Sequence, residues 1–323
     1  MKFVTQMPGL MRYPPSQFPP GADRWQARMT SADFQRVARS ADDLGFDALT
    51  LSEHLALPID LVPNMGAWWP HAFTAMAFLA GATTRIRVNA SVIVLPYHHP
   101  VAFAKAVSTL DVMSSGRVML TFGVGMAPAE FAALGVPFDQ RGKVTDEYVA
   151  VMKTLWRDER PEFHGEWVDF ADLAFEPKPV QEPHPPIWFG GRSMAALDRA
   201  ARLGDGWAPA GGLLGKGPWF EEPEQLPELL ARVRDTRAQV GIDDRPFDVH
   251  LPVVNPRIGP NHTHLPPAFV PQSAQEIVDE IGRLAELGVT WTSASRPNAR
   301  ERTLDEHLEN LQWIAEEVVS ACR

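Results

Sequence analysis

The chain has 323 residues, of which 45% are hydrophobic, and its formal net charge is −10. This acidic balance, without a run of Lys or Arg, excludes the usual electrostatic footprint of a nucleic-acid-binding protein. The single cysteine, Cys322, excludes disulfide frameworks and cysteine-based metal sites. No apolar run is long enough to cross a bilayer, so we expect a soluble, cytoplasmic protein that binds neither membrane nor nucleic acid.

Apolar strand patterns alternate with helical patterns along the chain. The strand patterns span residues 2–7, 47–51, 85–96, 116–125, 185–191, 206–208, 247–254 and 289–293. The helical patterns span residues 31–44, 72–82, 100–113, 139–156, 195–203, 224–240, 273–287 and 304–319. Between them, residues 162–178 alternate polar and apolar side chains around Gly165, which predicts a small hairpin outside the main sheet.

The repeated strand and helix patterns predict a single (β/α)8 TIM barrel with insertions, and residues 1–323 are predicted to form one domain. The strands are apolar along most of their length, which is typical of parallel strands covered on both faces. A doubly wound α/β sheet is the alternative fold. Its dinucleotide-binding fingerprint is incomplete, because Pro128 stands where a third glycine should follow Gly123 and Gly125.

Two polar features lie at predicted C-terminal strand ends, where the active site of a barrel forms. Glu53 and His54 end the second strand, and such side chains suit acid–base catalysis or the binding of a polar ligand. The Gly-Gly-Arg-Ser turn at residues 190–193 joins a strand to a helix, and its amides, the helix dipole and Arg192 suit a phosphate group. The alternatives are a hydrogen-bonded pair at a strand end and a tight turn with a serine cap.

Small residues occupy two further strand ends, at residues 90–92 and 123–125. A bulge at residues 90–92 would bring the backbone against a planar ligand, although ordinary close packing explains the same pattern. In the preceding insertion, Trp68 and Trp69 either cover an aromatic ligand or pack the insertion itself.

The four histidines His98, His99, His262 and His264 raise the question of a metal site. The sequence contains no His-Glu-X-X-His motif, the first strand has no His-X-His motif, and His262 and His264 lie in a proline-rich stretch. Solvated loop histidines explain this pattern better, so we predict no bound metal.

A series of short motifs lies in a fixed order across residues 40–210. They are Leu44-Gly-Phe-Asp47, Ser52-Glu-His54, Thr84-Arg-Ile-Arg87 through Leu95-Pro96, Ala104-Lys105, Thr109-Leu-Asp-Val-Met-Ser-Ser-Gly-Arg117, Gly123-Val-Gly125, Glu130-Phe-Ala-Ala-Leu-Gly-Val-Pro-Phe138, Arg141-Gly142, Asp146-Glu147, Pro186-Ile-Trp-Phe-Gly-Gly191 and Gly204-Asp-Gly-Trp207. Each motif is weak alone. In this order and spacing the chain resembles the bacterial luciferase-like monooxygenase superfamily, in the branch that uses the deazaflavin coenzyme F420.

The resemblance implies a barrel with the deazaflavin lying across the strand ends, on a non-proline cis peptide bond at Ser91–Val92. The family's acidic-His pair maps to Glu53 and His54, which are the predicted catalytic residues. His54 would give or take a proton, and Glu53 would fix the polar edge of the ring. The cofactor-binding residues implied in this way are Glu53, Ala90, Ser91, Val92, Gly123, Val124, Gly125, Gly190, Gly191, Arg192 and Ser193.

Two positions depart from the family pattern. Thr121 replaces a glycine that is usual in the fourth strand, and Met126 stands where a sugar-phosphate dehydrogenase of the family has a catalytic glutamate. The second departure argues against the same substrate chemistry. It predicts a more apolar pocket, lined by Met7, Trp68, Trp69 and Met126.

The resemblance therefore implies an F420-dependent oxidoreductase that transfers a hydride between the deazaflavin and an unidentified small organic substrate. Pairing into a homodimer is expected. Three alternatives stay open: an FMN-dependent monooxygenase of the same fold, a protein that binds F420 or flavin without catalysis, and a metal-dependent barrel hydrolase.

Overall fold

The computed structural model describes residues 1–9, 25–209, 220, 222–242, 244–253, 271–299 and 301–323. The strands are β1 (Lys2–Gln6), β2 (Ala48–Leu51), β3 (Arg87–Val94), β4 (Leu120–Gly123), β5 (Phe163–His164), β6 (Asp169–Phe170), β7 (Ile187–Gly190), β8 (Gly206–Ala208), β9 (Asp248–Val249) and β10 (Trp291–Thr292). The α-helices are α1 (Ser31–Asp43), α2 (Val62–Met65), α3 (Ala72–Ala82), α4 (Pro100–Met113), α5 (Pro128–Leu134), α6 (Arg141–Arg157), α7 (Met194–Leu203), α8 (Leu226–Gln239), α9 (Ala274–Glu286) and α10 (Leu304–Ile314). None of these helices has the length and apolar character required to cross a membrane.

Eight of the strands form one sheet in the order β10-β1-β2-β3-β4-β7-β8-β9, and every neighbouring pair is parallel. A bridge between His250 and Trp291 joins the end of this order back to β10. Backbone hydrogen bonds from Leu251 to Trp291 and from Val253 to Ser293 extend the join. The sheet closes on itself, so the predicted barrel is confirmed, and the β5–β6 hairpin lies outside it, as also predicted.

Alternate side chains of the strands face the helices and the barrel interior. In β7, Ile187 and Phe189 pack in the main core, whereas Trp188 belongs to a separate interior cluster. That cluster comprises Val4, Ala48, Met119, Trp188, Ala208 and Trp291. Because both faces of the sheet are covered, the strands need apolar residues at successive positions, which is the pattern visible in the sequence.

The seventh barrel strand is shorter than the predicted span of residues 247–254, since β9 covers only Asp248–Val249. Pro252 has no amide hydrogen to add to a ladder. Beyond β9, the His250 amide donates to the Trp207 carbonyl, and the amides of Leu251 and Val253, on either side of the proline, donate to the carbonyls of Trp291 and Ser293. Residue 254, the predicted end of the strand, lies outside the described residues.

Hydroxyl side chains cap the N-termini of several helices. Thr30 caps α1 in a capping box with Asp33. Ser193 and Ser273 cap α7 and α9 by accepting from amides in the first turn. These caps satisfy amides that have no acceptor within the helix and fix where each helix begins.

His184 lies at the N-terminal end of the barrel, shortly before β7, and is only 7% exposed. Its Nδ1 donates to the Pro185 carbonyl over 2.9 Å, and its ring lies beside that of Trp156. Burial, and then the nearby charge of Lys153, lower the pKa of His184 from 6.5 to about 4. The folded protein therefore keeps this imidazole neutral at pH values where an unfolded chain protonates it.

We expect the free energy of unfolding to decrease as the pH falls from 6.5 to about 4. In this window the unfolded chain binds a proton at His184 that the folded protein does not bind, and each unit of pKa difference is worth about 1.4 kcal/mol. Urea unfolding at several pH values measures the effect. The slope should be shallower in His184→Gln and unchanged in His99→Gln, whose side chain is exposed. Equal slopes for wild type and His184→Gln would contradict this expectation.

Candidate active site

Predicted site residues and side chains that the sequence did not single out lie together at the C-terminal mouth of the barrel. His54 follows β2, Tyr97 follows β3, and Glu130 lies on α5 after β4. The turn at residues 190–193 follows β7 and leads into α7. Because the barrel strands are parallel, these segments emerge at the same end of the barrel.

Val92 forms the floor of this mouth. The Ser91–Val92 peptide bond is cis, as the resemblance implied. The β3–β4 register shifts between Ser91 and Ile93, which confirms the bulge considered from the sequence. Ser52 Oγ donates to the Ser91 carbonyl over 3.1 Å and ties the segment after β2 to the bulge. The next residue, Ile93, is buried in the core, whereas the Val92 side chain is partly exposed.

Two glycines make room for the Val92 side chain. A Cβ atom on Gly123 would lie 2.6 Å from Val92 Cγ2, and a Cβ atom on Gly190 would overlap Val92 Cγ1. Both contacts are closer than carbon atoms tolerate. Gly123 and Gly190 are among the predicted cofactor contacts. In the structure their missing side chains leave the space in which Val92 lies across the ends of β4 and β7.

The other predicted contacts near the floor differ in exposure. Ala90 has no exposed surface and packs in the main core. Gly125 has a φ of 83°, and a Cβ atom there would lie 2.6 Å from Phe131 and 2.7 Å from Val94. Its missing side chain therefore lets α5 pack closely on the end of β3. Val124 and Gly125 are both partly exposed.

His54 and Glu130 form a buried pair. His54 Nδ1 lies 2.9 Å from Glu130 Oε2, and the same oxygen accepts from the Tyr97 hydroxyl over 3.0 Å. The other oxygen, Oε1, accepts from the backbone amides of Leu55 and Ala56. The Glu130 side chain is fully buried and that of His54 is 11% exposed, so the imidazole is the accessible part of the pair.

The ionisation of this pair follows from its contacts. Burial acts to raise the pKa of Glu130, but the hydrogen bonds from His54, the Ala56 amide and Tyr97, together with the His54 charge, lower it below its ordinary value. Burial, and then the Glu130 charge, raise the pKa of the Tyr97 phenol. At neutral pH the carboxylate is thus ionised and the phenol is protonated.

The residues predicted to line the pocket have different environments. Trp69 meets the His54 ring edge-on, with 4.7 Å between ring centroids, and so limits the space around the imidazole. Trp68 is 39% exposed. Met7 is buried, with 2% of its surface exposed, whereas Met126 is partly exposed.

Glu53 has a separate set of partners. Its carboxylate accepts from the Val94 amide over 2.9 Å, and both of its oxygens lie 3.0 Å from His98 Nε2. The Glu53 side chain has no exposed surface. The predicted acidic-His pair is therefore split, because His54 pairs with Glu130 while Glu53 holds the end of the strand that carries Val92.

The histidines considered as metal ligands are separated in the same way. His98 pairs with Glu53, whereas His99 is exposed. His262 and His264 lie outside the described residues. Of these four histidines, only His98 lies beside other possible metal ligands in the described part of the chain.

In the described part of the chain, Glu53, His71 and His98 bring possible ligand atoms within 4.8 Å of one another. His71 Nδ1 accepts from the Thr74 backbone amide over 3.2 Å, and an amide can only donate. A neutral His71 therefore carries its hydrogen on Nε2, which then presents a donor and not a lone pair. With His98 already paired to Glu53, this arrangement suits a hydrogen-bonded cluster better than a metal centre.

The turn at residues 190–193 has the features of an anion site. Ser193 caps α7 by accepting from the Ala196 amide, which confirms the predicted cap. Gly191 has a φ of 106°, and its carbonyl accepts from Trp207 Nε1. The two amides before that of Ala196, of Met194 and Ala195, are at positions that have no acceptor within a helix, and Arg192 is partly exposed beside them. Phosphate binding here stays a prediction, with a geometry that suits it.

Sequence reasoning missed the roles of Glu130, Tyr97 and His98. The sequence could have pointed to Glu130, because it is the only charged residue in the apolar helix α5. Tyr97 and His98 carried none, since their partners Glu130 and Glu53 lie 33 and 45 residues away in the chain.

Comparisons with known proteins identify the family of the chain. The family model for luciferase-like monooxygenases matches residues 15–255. An uncharacterized protein of Mycobacterium tuberculosis is 33% identical over 227 residues, which are 67% of this chain and 74% of that protein. An FMNH2-dependent dimethylsulfone monooxygenase of Pseudomonas putida is 30% identical over 209 residues, which are 64% of this chain and 52% of that protein.

Solved structures share the fold at low sequence identity. A monooxygenase from Streptomyces bottropensis superposes with a TM-score of 0.74 at 21% identity, over 99% of both chains. An F420-dependent secondary alcohol dehydrogenase in complex with an F420-acetone adduct gives a TM-score of 0.73 at 18% identity, over 100% of this chain and 99% of that one. With the family model matching most of its sequence and its barrel shared by these enzymes, the chain belongs to the luciferase-like monooxygenase family.

Proposed function

We propose that the chain is an F420-dependent oxidoreductase that transfers a hydride between the deazaflavin and a small organic substrate. The observation that supports this most is the double role of Gly190. It lies beneath Val92, the floor of the mouth, and it also begins the turn that leads into α7. A planar ring resting on Val92 would have its phosphate-bearing tail close to the first amides of that helix.

The residues of the mouth fit such a coenzyme. Val92 offers an apolar surface to the face of a flat ring, and Arg192 with the first amides of α7 would hold the phosphate. When bound, the coenzyme supplies the hydride chemistry, while the protein supplies binding, orientation and proton transfer. Glu53 would not touch the coenzyme. Its carboxylate accepts from the Val94 amide and so would fix the end of β3, the strand that carries Val92.

His54 is the proposed acid–base residue. Its imidazole is the accessible part of a buried pair, its Nδ1 is engaged by Glu130, and Trp69 restricts its ring. A side chain held in this way can exchange a proton with a substrate group while the hydride moves. The apolar neighbours predicted for the pocket suit a substrate less polar than a sugar phosphate.

An FMN-dependent monooxygenase is the second candidate function. The Pseudomonas putida relative is described as FMNH2-dependent, whereas one of the enzymes that share the fold uses F420. The turn at residues 190–193 would serve the phosphate of either coenzyme. A protein that binds the coenzyme without catalysis is the remaining outcome.

A homodimer also stays a proposal, and helix α3 is its best support. The helix is apolar on every side, yet Thr74, Ala77, Phe78 and Gly81 are exposed, Phe78 by 41%. A helix of this composition is typical of one that is covered all round, so a second copy of the chain is the proposed cover. A mass in solution equal to one chain would contradict the proposal.

The cytoplasmic location likewise stays a prediction.

We expect F420 to bind at least about tenfold more tightly than FMN, a difference of about 1.4 kcal/mol, in titrations that follow coenzyme fluorescence. His54→Ala should retain this affinity but lower turnover by about 10²–10⁴-fold, the usual contribution of a general acid or base. Turnover is followed as the change in F420 absorbance with a panel of small alcohols and ketones. The exposed His99→Ala is the matched control and should leave both quantities unchanged.

Two results would redirect the assignment. Binding of FMN without binding of F420 would favour the monooxygenase. Binding of F420 without turnover of any substrate in the panel would favour the non-catalytic protein. Full turnover by His54→Ala would remove this residue from the mechanism.

The floor itself predicts a second effect. Gly123→Ala should weaken coenzyme binding by about tenfold, because its methyl group would lie 2.6 Å from Val92 Cγ2 and push the floor upward. The double variant Gly123→Ala/Val92→Ala lacks the clashing Cγ2 atom and should bind the coenzyme more tightly than Gly123→Ala, but less tightly than the wild type. Gly282→Ala is the control, since its added methyl group meets nothing within 4 Å. Unchanged affinity in the single variant Gly123→Ala would show that the floor does not carry the ring.

A further inference from the structure

The carboxylate of Glu130 is surrounded by donors on both oxygens. Oε1 accepts from the amide of Leu55 over 2.9 Å and from the amide of Ala56 over 3.0 Å. Oε2 accepts from the Tyr97 hydroxyl over 3.0 Å and lies 2.9 Å from His54 Nδ1. The side chain has no exposed surface, so Glu130 cannot itself touch a ligand in the mouth.

These contacts determine which nitrogen of His54 carries the hydrogen. A backbone amide can only donate, and an ionised carboxylate can only accept. The hydrogen bonds that lower the pKa of Glu130, against the effect of burial, keep it ionised at neutral pH. The hydrogen in the contact between the two side chains therefore belongs to Nδ1 of His54, which leaves Nε2 as the exchangeable position.

We propose that Glu130 is a positioning residue for His54: its Oε2 keeps a hydrogen on Nδ1, so that Nε2 takes up and returns the substrate's proton. The catalytic meaning of this inference rests on the proposed function. The tautomer itself is a property of the protein alone and can be measured without a coenzyme.

The surrounding charges favour the same assignment. When Nε2 takes up a proton, the pair of His54 and Glu130 changes from one net negative charge to none. Tyr97 stays neutral, because burial and the Glu130 charge raise its pKa. The carboxylate of Glu53 is already paired with His98. Among the described residues in contact with His54, Glu130 is thus the group that balances the imidazolium.

Glu130→Gln is a sharp test because the structure dictates how the new amide must face. The amides of Leu55 and Ala56 require an acceptor at Oε1, so the NH2 group replaces Oε2 opposite His54. Facing a donor, Nδ1 has to become an acceptor, and the hydrogen moves to Nε2. Tyr97→Phe is the matched control, since it removes another donor to Oε2 but leaves the carboxylate in place.

The tautomer is read from proton–nitrogen NMR spectra of protein labelled at its histidine rings, without coenzyme. The His54 signals are identified by their loss in His54→Gln. We expect the hydrogen on Nδ1 in wild type and in Tyr97→Phe, and on Nε2 in Glu130→Gln. A wild-type spectrum with Nδ1 unprotonated would overturn the proposal. This part of the test uses the wild-type protein alone, so it does not depend on whether a variant folds. A hydrogen that stays on Nδ1 in Glu130→Gln would overturn it as well.

The catalytic part has its own readout. With F420 bound, Glu130→Gln should lower turnover by about 10²–10⁴-fold and leave coenzyme affinity unchanged, because the exchangeable nitrogen is then blocked. Failure of F420 to bind the wild-type protein would remove the proposed function while the tautomer result stands. Normal turnover in Glu130→Gln would remove the positioning role while the proposed function stands.

Discussion

A branched side chain lies across the ends of two parallel strands, and only glycine beneath it leaves enough room. Val92 rests on Gly123 and Gly190, where a Cβ atom would collide with its methyl groups. Ser52 and Glu53 hold the same strand from the side, through the Ser91 carbonyl and the Val94 amide. The floor of the mouth therefore depends on β2, β3, β4 and β7 lying side by side, which the closed barrel provides.

The neighbours Glu53 and His54 each form a carboxylate–imidazole pair with a different element. Glu53 pairs with His98 behind the floor, and His54 pairs with Glu130 at the mouth. In the proposed function the first pair supports the ring and the second handles protons. In both pairs the carboxylate has no exposed surface and the imidazole keeps 11% of its side chain exposed.

The barrel was predictable because its signals are local. Apolar runs such as residues 187–190 and 206–208, separated by one helix, recur along the whole chain. The serine cap at Ser193 is likewise a local signal, whereas the cis bond at Ser91–Val92 is implied only by the resemblance to the family. The pairings could not be predicted, because Tyr97 and Glu130 meet His54 only after the barrel closes. For the same reason nothing in the sequence indicates that the Val92 side chain occupies the space where a side chain on Gly123 would lie, and the predicted contact of Gly123 with the cofactor stays a prediction.

The central claim is that Val92 carries a flat redox ring whose anionic tail lies at residues 191–193. A crystal structure of the protein grown with F420 tests it most directly. The claim predicts the ring over the Val92 side chain and the phosphate about 2.7–3.2 Å from backbone amides at the start of α7. A coenzyme that binds away from Val92, or with its phosphate remote from this turn, would contradict it.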